Sequence, residues 1–153
     1  MPAVDEHQPV GQHPVRHILA HVKPGDADLS RSDGLATISA GLALARRFKA
    51  RLDVVYTIRR LMMMEAYFGK QSPVYAKASS EEFSRAAAMR RWFEDLRAQE
   101  GVPDAHWQVC EGDAAAIIAR ATHFQDLVII SRSDPGTDEI GFDVPEMALL
   151  KSG

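Results

Sequence analysis

Four short segments rich in β-branched or other apolar residues constrain the fold of this chain more than any other feature. They cover residues 17–22, 52–58, 105–110 and 126–131, and stretches with helical periodicity separate them. Strands of this kind that alternate with amphipathic helices form parallel sheets whose two faces are both covered. The sequence therefore predicts an α/β domain with the order β-α-β-α-β-α-β.

Three helices are predicted between these strands. The first begins at Gly34 and repeats apolar residues at three- and four-residue spacing. The second is expected to begin at Ser79, because Ser79 and Glu82 have the spacing of a capping box. The third is expected to follow Asp113 as its N-cap. The inward faces of the second and third helices are predicted to carry Phe83, Ala86, Met89, Phe93 and Leu96, and Ile117, Ala121 and Phe124, respectively.

Length and composition indicate a single domain. The chain has 153 residues, of which 46% are hydrophobic, enough for a packed core. The chain has 18 Lys and Arg residues against 21 Asp and Glu residues. This balance argues against nucleic acid as a partner, because nucleic acid binds to surfaces with concentrated positive charge. No apolar run approaches the ~20 residues of a membrane span. We expect a flexible tail over residues 1–15 and a domain over residues 16–153. We also expect a cytoplasmic location, because Cys110 is the single cysteine and cannot form an internal disulfide.

Few residues suggest chemistry. His13, His17 and His21 are spaced four apart, but in a strand this spacing covers ~13 Å, too far for a shared metal ion. Cys110 is expected to be a small buried side chain rather than a reactive thiol. No paired carboxylates and no nucleophile–base pair stand at motif spacing. The sequence therefore predicts no metal site and no enzyme active site.

Three segments of the chain resemble the universal stress protein family. They read HILAHVKPG (17–25), GLALARRFKARLDVVYT (41–57) and HWQVCEGDAAAIIARATHFQDLVIISRSDPG (106–136), and the E-G-D turn before an alanine-rich helix is the most specific part. The chain is most similar to the first half of bacterial members with two tandem domains. Residues 143–153 look like the lead-in to a final Pro-Val-rich strand that does not follow in this sequence.

The resemblance implies a Rossmann-like fold with strand order 3-2-1-4 and the family's fifth strand missing. It also implies a role in the stress response, commonly as a dimer, and ATP or AMP as the ligand of many members. With the fifth strand missing, the strand over residues 127–131 becomes an apolar edge. We expect a second copy of the chain, another universal stress protein domain, or the segment 132–153 to cover it.

The resemblance places a ligand cleft beyond the carboxyl ends of the first and fourth strands. Nucleotide-binding members have an aspartate where this chain has Lys23, and glycines at the positions of Ser131 and Asp134. A lysine cannot accept a hydrogen bond from adenine, and side chains hinder the approach of phosphate to the backbone. The residues predicted to bind a nucleotide or another anion are Val22, Lys23, Pro24, Val55, Ser131, Arg132, Ser133 and Gly136.

Three functions remain open from the sequence. The first is a non-enzymatic stress-protein domain that acts by association and by binding a small ligand. The second is a switch or weak ATPase that binds ATP or AMP. The third is a carrier of small apolar molecules, suggested by the Met62–Met64 run with Tyr67 and Phe68, which would otherwise pack onto the local core.

Overall fold

The computed structural model describes residues 14–23, 33–58, 61–131 and 144–151. Within these ranges the chain forms four strands and five helices. The strands are β1 (His17–Val22), β2 (Arg51–Ile58), β3 (Ala105–Glu111) and β4 (Leu127–Ile130). The helices are α1 (Asp33–Phe48), α2 (Met62–Phe68), α3 (Pro73–Glu100), α4 (Ala114–Thr122) and α5 (Val144–Lys151).

The four strands form one parallel sheet in the order β3-β2-β1-β4. This confirms the predicted α/β class and strand order. The carboxylate of Asp126, just before β4, accepts hydrogen bonds from the backbone N–H groups of Arg16 (2.8 Å) and His17 (2.9 Å). These bonds tie the start of β1 to the start of β4 and help to set the register in which Ile18 pairs with Leu127.

The two faces of the sheet carry separate hydrophobic clusters. Alternate residues of β1 point to opposite faces, because the side-chain period of a strand is two. Ile18 and Ala20 pack into the larger cluster with residues of α1 and α3, including Leu42 and Phe93. Leu19 packs on the other face, with residues of β2 and α4. Helices therefore cover both faces of the sheet, as predicted from the alternation of apolar strands and amphipathic helices.

Helix α1 lies close to the sheet because it has a glycine at the point of contact. A Cβ added to Gly41 would lie 3.1 Å from Cδ1 of Leu52 and 3.4 Å from Cβ of Ala20. Both distances are short for apolar contacts, so a side chain here would press against β1 and β2.

The predicted start of the second long helix is wrong. Helix α3 begins at Pro73, and Ser72 is its N-cap, with the Ser72 hydroxyl accepting a hydrogen bond from the N–H of Tyr75 at 3.1 Å. Proline suits a first-turn position because its missing N–H has no helical partner there. Ser79 lies two turns inside the helix, and residues 62–68, for which no structure was predicted, form α2.

The predicted inward faces are correct in part. In α3 the residues Ala86, Met89 and Phe93 are buried, but the side chain of Phe83 is 51% exposed. In α4 the N-cap is Asp113, as predicted, and its carboxylate accepts a hydrogen bond from the N–H of Ala115 at 3.2 Å. Phe124 lies beyond the end of α4 and is 78% exposed, so its predicted burial is wrong.

Three further observations concern the tail, the edge strand and the helices of the described chain. Val15 packs against the larger cluster, while residues 1–13 of the predicted tail lie outside the described residues. Within the described ranges, β1 is the only strand that pairs with β4. No helix described in this chain has the length and apolar character to cross a bilayer.

Candidate functional site

The connections of β1 and β4 create a crevice at the carboxyl end of the sheet. Helix α1 follows β1 and packs on one face, whereas α4 precedes β4 and packs on the other face. In open α/β sheets, ligands bind beyond the carboxyl ends of the strands at the point where connections diverge in this way. We call the region beyond Val22 and Ile130 the switch-point crevice.

The structure places four of the predicted site residues at or near this crevice. Val22 ends β1 and is buried, and Lys23 follows it and is half-buried. Ser131 directly follows β4 and is half-buried. Val55 lies lower, inside β2, where it packs with Leu19 and Ile118. The other four predicted residues, Pro24, Arg132, Ser133 and Gly136, lie outside the described residues.

A buried polar pair lies at the carboxyl ends of β1 and β2, and the sequence analysis did not identify it. Nε2 of His21 lies 2.9 Å from Oγ1 of Thr57. Both side chains are 1% exposed. In the sheet, His21 pairs with Val55 of β2 on one side and with Ile130 of β4 on the other. The sequence signal was one polar residue close to the carboxyl end of each strand.

His21 is uncharged at neutral pH. Burial, with a smaller contribution from the nearby ammonium of Lys23, lowers the pKa of its imidazole from 6.5 to about 4. Nδ1 of the ring is buried and has no hydrogen-bond partner among the described residues. The pair with Thr57 therefore satisfies one ring nitrogen and leaves the other for a partner that these residues do not supply.

Cys110 lies beside this pair in the sheet but has no reactive setting. It pairs with Thr57 across β2 and β3, and it is half-buried. Burial raises the pKa of the thiol, which disfavours the nucleophilic thiolate. In the described part of the chain, no group of three His, Cys, Asp or Glu residues could hold a metal ion.

A second, polar cleft of about 350 Å³ lies beside β3, away from the switch-point crevice. Its lining residues are Glu65, Lys70, Tyr75 and Glu111. Nζ of Lys70 lies 3.3 Å from Oε1 of Glu65, so this carboxylate is already paired with a cation. Such a lining does not suit an apolar ligand.

The aromatic residues of α2 do not pack onto the core. The side chains of Tyr67 and Phe68 are 76% and 56% exposed, and the expectation that this cluster packs onto the local core is wrong for both. Helix α2 is a single short segment that ends at Phe68, with Gly69 as its C-cap, and it packs against α3. Both rings are exposed to solvent.

Comparison with known proteins gives matches at the level of structure. Neither the family models nor the curated proteins include a match to this chain. Universal stress protein UspA from Lactobacillus plantarum superposes with a TM-score of 0.65 at 17% identity, over 90% of this chain and 92% of that protein.

Two further solved structures agree. A universal stress protein family member from Burkholderia pseudomallei gives a TM-score of 0.62 at 16% identity over 92% of both chains. A universal stress protein in complex with cAMP gives 0.56 at 14% identity over 91% of both chains. At this level of identity the likeness concerns the fold, and it agrees with the parallel order β3-β2-β1-β4. This chain has the universal stress protein fold.

Proposed function

We propose that this chain is a universal stress protein domain that acts in the stress response by association with a second copy of itself and by binding a small ligand, without catalysis of its own. The observation that carries the association is the outer edge of β4. The similarity in fold to universal stress proteins supports the stress-response role. A cytoplasmic location is part of the proposal and is supported by the single cysteine.

The edge of β4 suits pairing with another chain. All four residues, Leu127–Ile130, are apolar, half-buried, and paired on one side with β1. An apolar edge strand presents backbone N–H and C=O groups that pair readily with a strand from another molecule. A homodimer through this edge would extend the sheet and cover its apolar side chains.

Sedimentation and hydrogen exchange test the association. We expect a concentration-dependent dimer, with the amide hydrogens of β4 exchanging more slowly as the dimer fills. The amides of β2, which lies between two strands, serve as the internal control because dimer formation leaves their partners unchanged. A monodisperse monomer whose β4 amides exchange freely would contradict the proposal. Pairing of this edge with a different domain would show that the partner is not a second copy of the chain.

The proposed lack of catalysis is supported by the one buried histidine–hydroxyl pair in the described part of the chain. His21 and Thr57 have the spacing of a base and a nucleophile. A catalytic pair also needs a third group that orients the histidine, and Nδ1 of His21 has no such partner in the described ranges.

An adenine nucleotide is the small ligand that we propose for the switch-point crevice. The cAMP complex of a protein with this fold supports this class of ligand. In this chain Lys23 stands at the mouth of the crevice, where its ammonium suits a phosphate better than the adenine ring. The proposed role is binding or switching by ATP or AMP.

Equilibrium binding of AMP and ATP tests this role. Lys23→Ala should weaken binding of both nucleotides if the ammonium contacts phosphate, and the loss should shrink at high salt. Lys77→Ala, on the exposed side of α3, is the control for the general loss of one positive charge. Equal affinities for wild type and Lys23→Ala would remove Lys23 from the site.

The apolar carrier has the least support. The cleft next to α2 has a polar lining, and Tyr67 and Phe68 face solvent rather than a cavity. Native mass spectrometry of the purified protein tests this function directly. A co-purified apolar molecule, lost on Phe68→Ser substitution, would favour it over the nucleotide.

A further inference from the structure

A polar ring nitrogen lies buried beneath the switch-point crevice without a partner in the described structure. It is Nδ1 of His21, whose other nitrogen is paired with the hydroxyl of Thr57. An unpaired buried polar atom costs free energy, and an apolar side chain here would avoid that cost. Most of the remaining residues of β1 are apolar, so the histidine is an exception within its strand.

The position of His21 in the sheet brings it close to the crevice. It is the penultimate residue of β1, and it pairs with Ile130, the last residue of β4. One residue farther along both strands lies the point where their connections diverge. A ligand bound there therefore rests on the ends of the two strands that hold His21 and Ile130.

The surroundings of His21 keep the imidazole neutral. Thr57 contacts it from β2, and the nearest charged group that acts on it is Lys23, a cation that opposes protonation. The side chains of β4 and α5 described on this face are apolar, among them Ile130 and Val144. A neutral imidazole offers either a hydrogen-bond donor or an acceptor at Nδ1, depending on its tautomer.

We propose that Nδ1 of His21 hydrogen-bonds to the uncharged ring of a ligand in the switch-point crevice, and that this bond selects a nucleobase. The inference rests on the proposed binding of an adenine nucleotide and adds the group that recognises its base. Lys23 takes the phosphate end, and His21 takes the ring. Thr57 is a positioning residue, because its hydroxyl fixes the orientation of the imidazole without contacting the ligand.

Two substitutions separate the two nitrogens of the ring. In His21→Asn the side-chain amide occupies approximately the place of Nδ1, and the bond to Thr57 is lost. In His21→Gln the amide reaches approximately the place of Nε2, so the bond to Thr57 is kept and the partner at Nδ1 is lost. Both variants remain polar and neutral, which makes each the control for the other.

The experiment measures the affinities of wild type and both variants for AMP, adenosine and inorganic phosphate. We expect His21→Gln to lose about tenfold in affinity for AMP and adenosine, the effect of about one hydrogen bond, while His21→Asn keeps most of it. Inorganic phosphate should bind both variants as it binds wild type. The ¹⁵N resonance of Nδ1 in the wild-type imidazole should shift when AMP or adenosine is added.

Several outcomes would overturn the inference. They are equal affinities of the two variants for AMP, an Nδ1 resonance that adenosine leaves unmoved, and a wild-type protein that binds neither AMP nor adenosine. In the first two cases a buried water molecule is the partner of Nδ1. In these two cases wild type still binds AMP, so the proposed nucleotide binding stands. A wild type that binds neither ligand would overturn the nucleotide binding as well, whereas sedimentation tests the association through β4 independently.

Discussion

His21 makes the free energy of unfolding depend on pH. Its pKa is about 4 in the folded protein and about 6.5 in the unfolded chain. Between these values the unfolded chain binds the proton and the folded protein does not. The folded state is therefore fully stabilised above about pH 6.5, and this stabilisation is lost as the pH falls towards 4.

The first prediction is a loss of about 3 kcal/mol of unfolding free energy, from this residue alone, between about pH 7 and about pH 4. Urea denaturation at several pH values measures it as the difference between wild type and His21→Asn. The variant should lack this part of the pH dependence. His106→Gln is the control for replacing a histidine at the surface, because His106 is exposed. The same slope in wild type and His21→Asn would contradict the prediction.

At the residue scale the sequence predicted part of the site. Val22 and Lys23 were identified because the resemblance places a cleft beyond the carboxyl end of the first strand, and the structure ends β1 at Val22. The pair of His21 and Thr57 was missed because each residue, taken alone, reads as a tolerated polar residue within a strand. Their contact depends on the register of β1 against β2, which the alternation of each strand does not fix.

The length of α3 explains why its faces were predicted only in part. Its 28 residues rise about 42 Å, whereas the seven residues of β3 extend about 23 Å. Helix α3 therefore extends beyond the sheet at its N-terminal half. Phe83 belongs to that half and is exposed, while Met89 and Phe93 lie in the core. Helical periodicity indicates which residues share a face, but not how far the opposing surface reaches.

Two serines in the same helix provide the second prediction. Ser72 caps α3 through a hydrogen bond from Tyr75, whereas Ser79 lies inside the helix, so only one of the two capping patterns in the sequence is used. Ser72→Ala should cost about 1 kcal/mol of unfolding free energy because it leaves a helix N–H without its acceptor. Ser79→Ala should be neutral or slightly stabilising because alanine has the higher helix propensity.

Thermal or urea denaturation of the two serine variants measures the difference. A larger loss for Ser79→Ala than for Ser72→Ala would mean that the helix begins at the capping box after all. The sequence could not separate the two starts, since a Ser-Pro step and a Ser-x-x-Glu step are both common at helix N-termini. The helical turns between them carry no break that would favour the later start.

For the whole molecule, the sheet has a central part and two edges with different surroundings. The central strand β1 was predicted correctly from its short apolar run, which is typical of strands with neighbours on both sides, and β2 from its β-branched residues. The run of β4 is equally apolar, yet the structure pairs it on one side. The composition of β4 is thus that of an interior strand, whereas in the described part of the chain β4 is an edge strand.

The third prediction follows from this mismatch and concerns the stability of the molecule as an assembly. If a second copy covers β4, unfolding and dissociation are linked, and the folded state gains stability by mass action. Each tenfold increase in protein concentration should then add about 1.4 kcal/mol to the free energy of unfolding per dimer, which raises the urea midpoint. Circular dichroism over a hundred-fold range of protein concentration measures this shift. A midpoint that stays constant over that range would show that β4 is stable without a second copy. The association would then have to involve another surface, and the exposed rings of Tyr67 and Phe68 are the first to test.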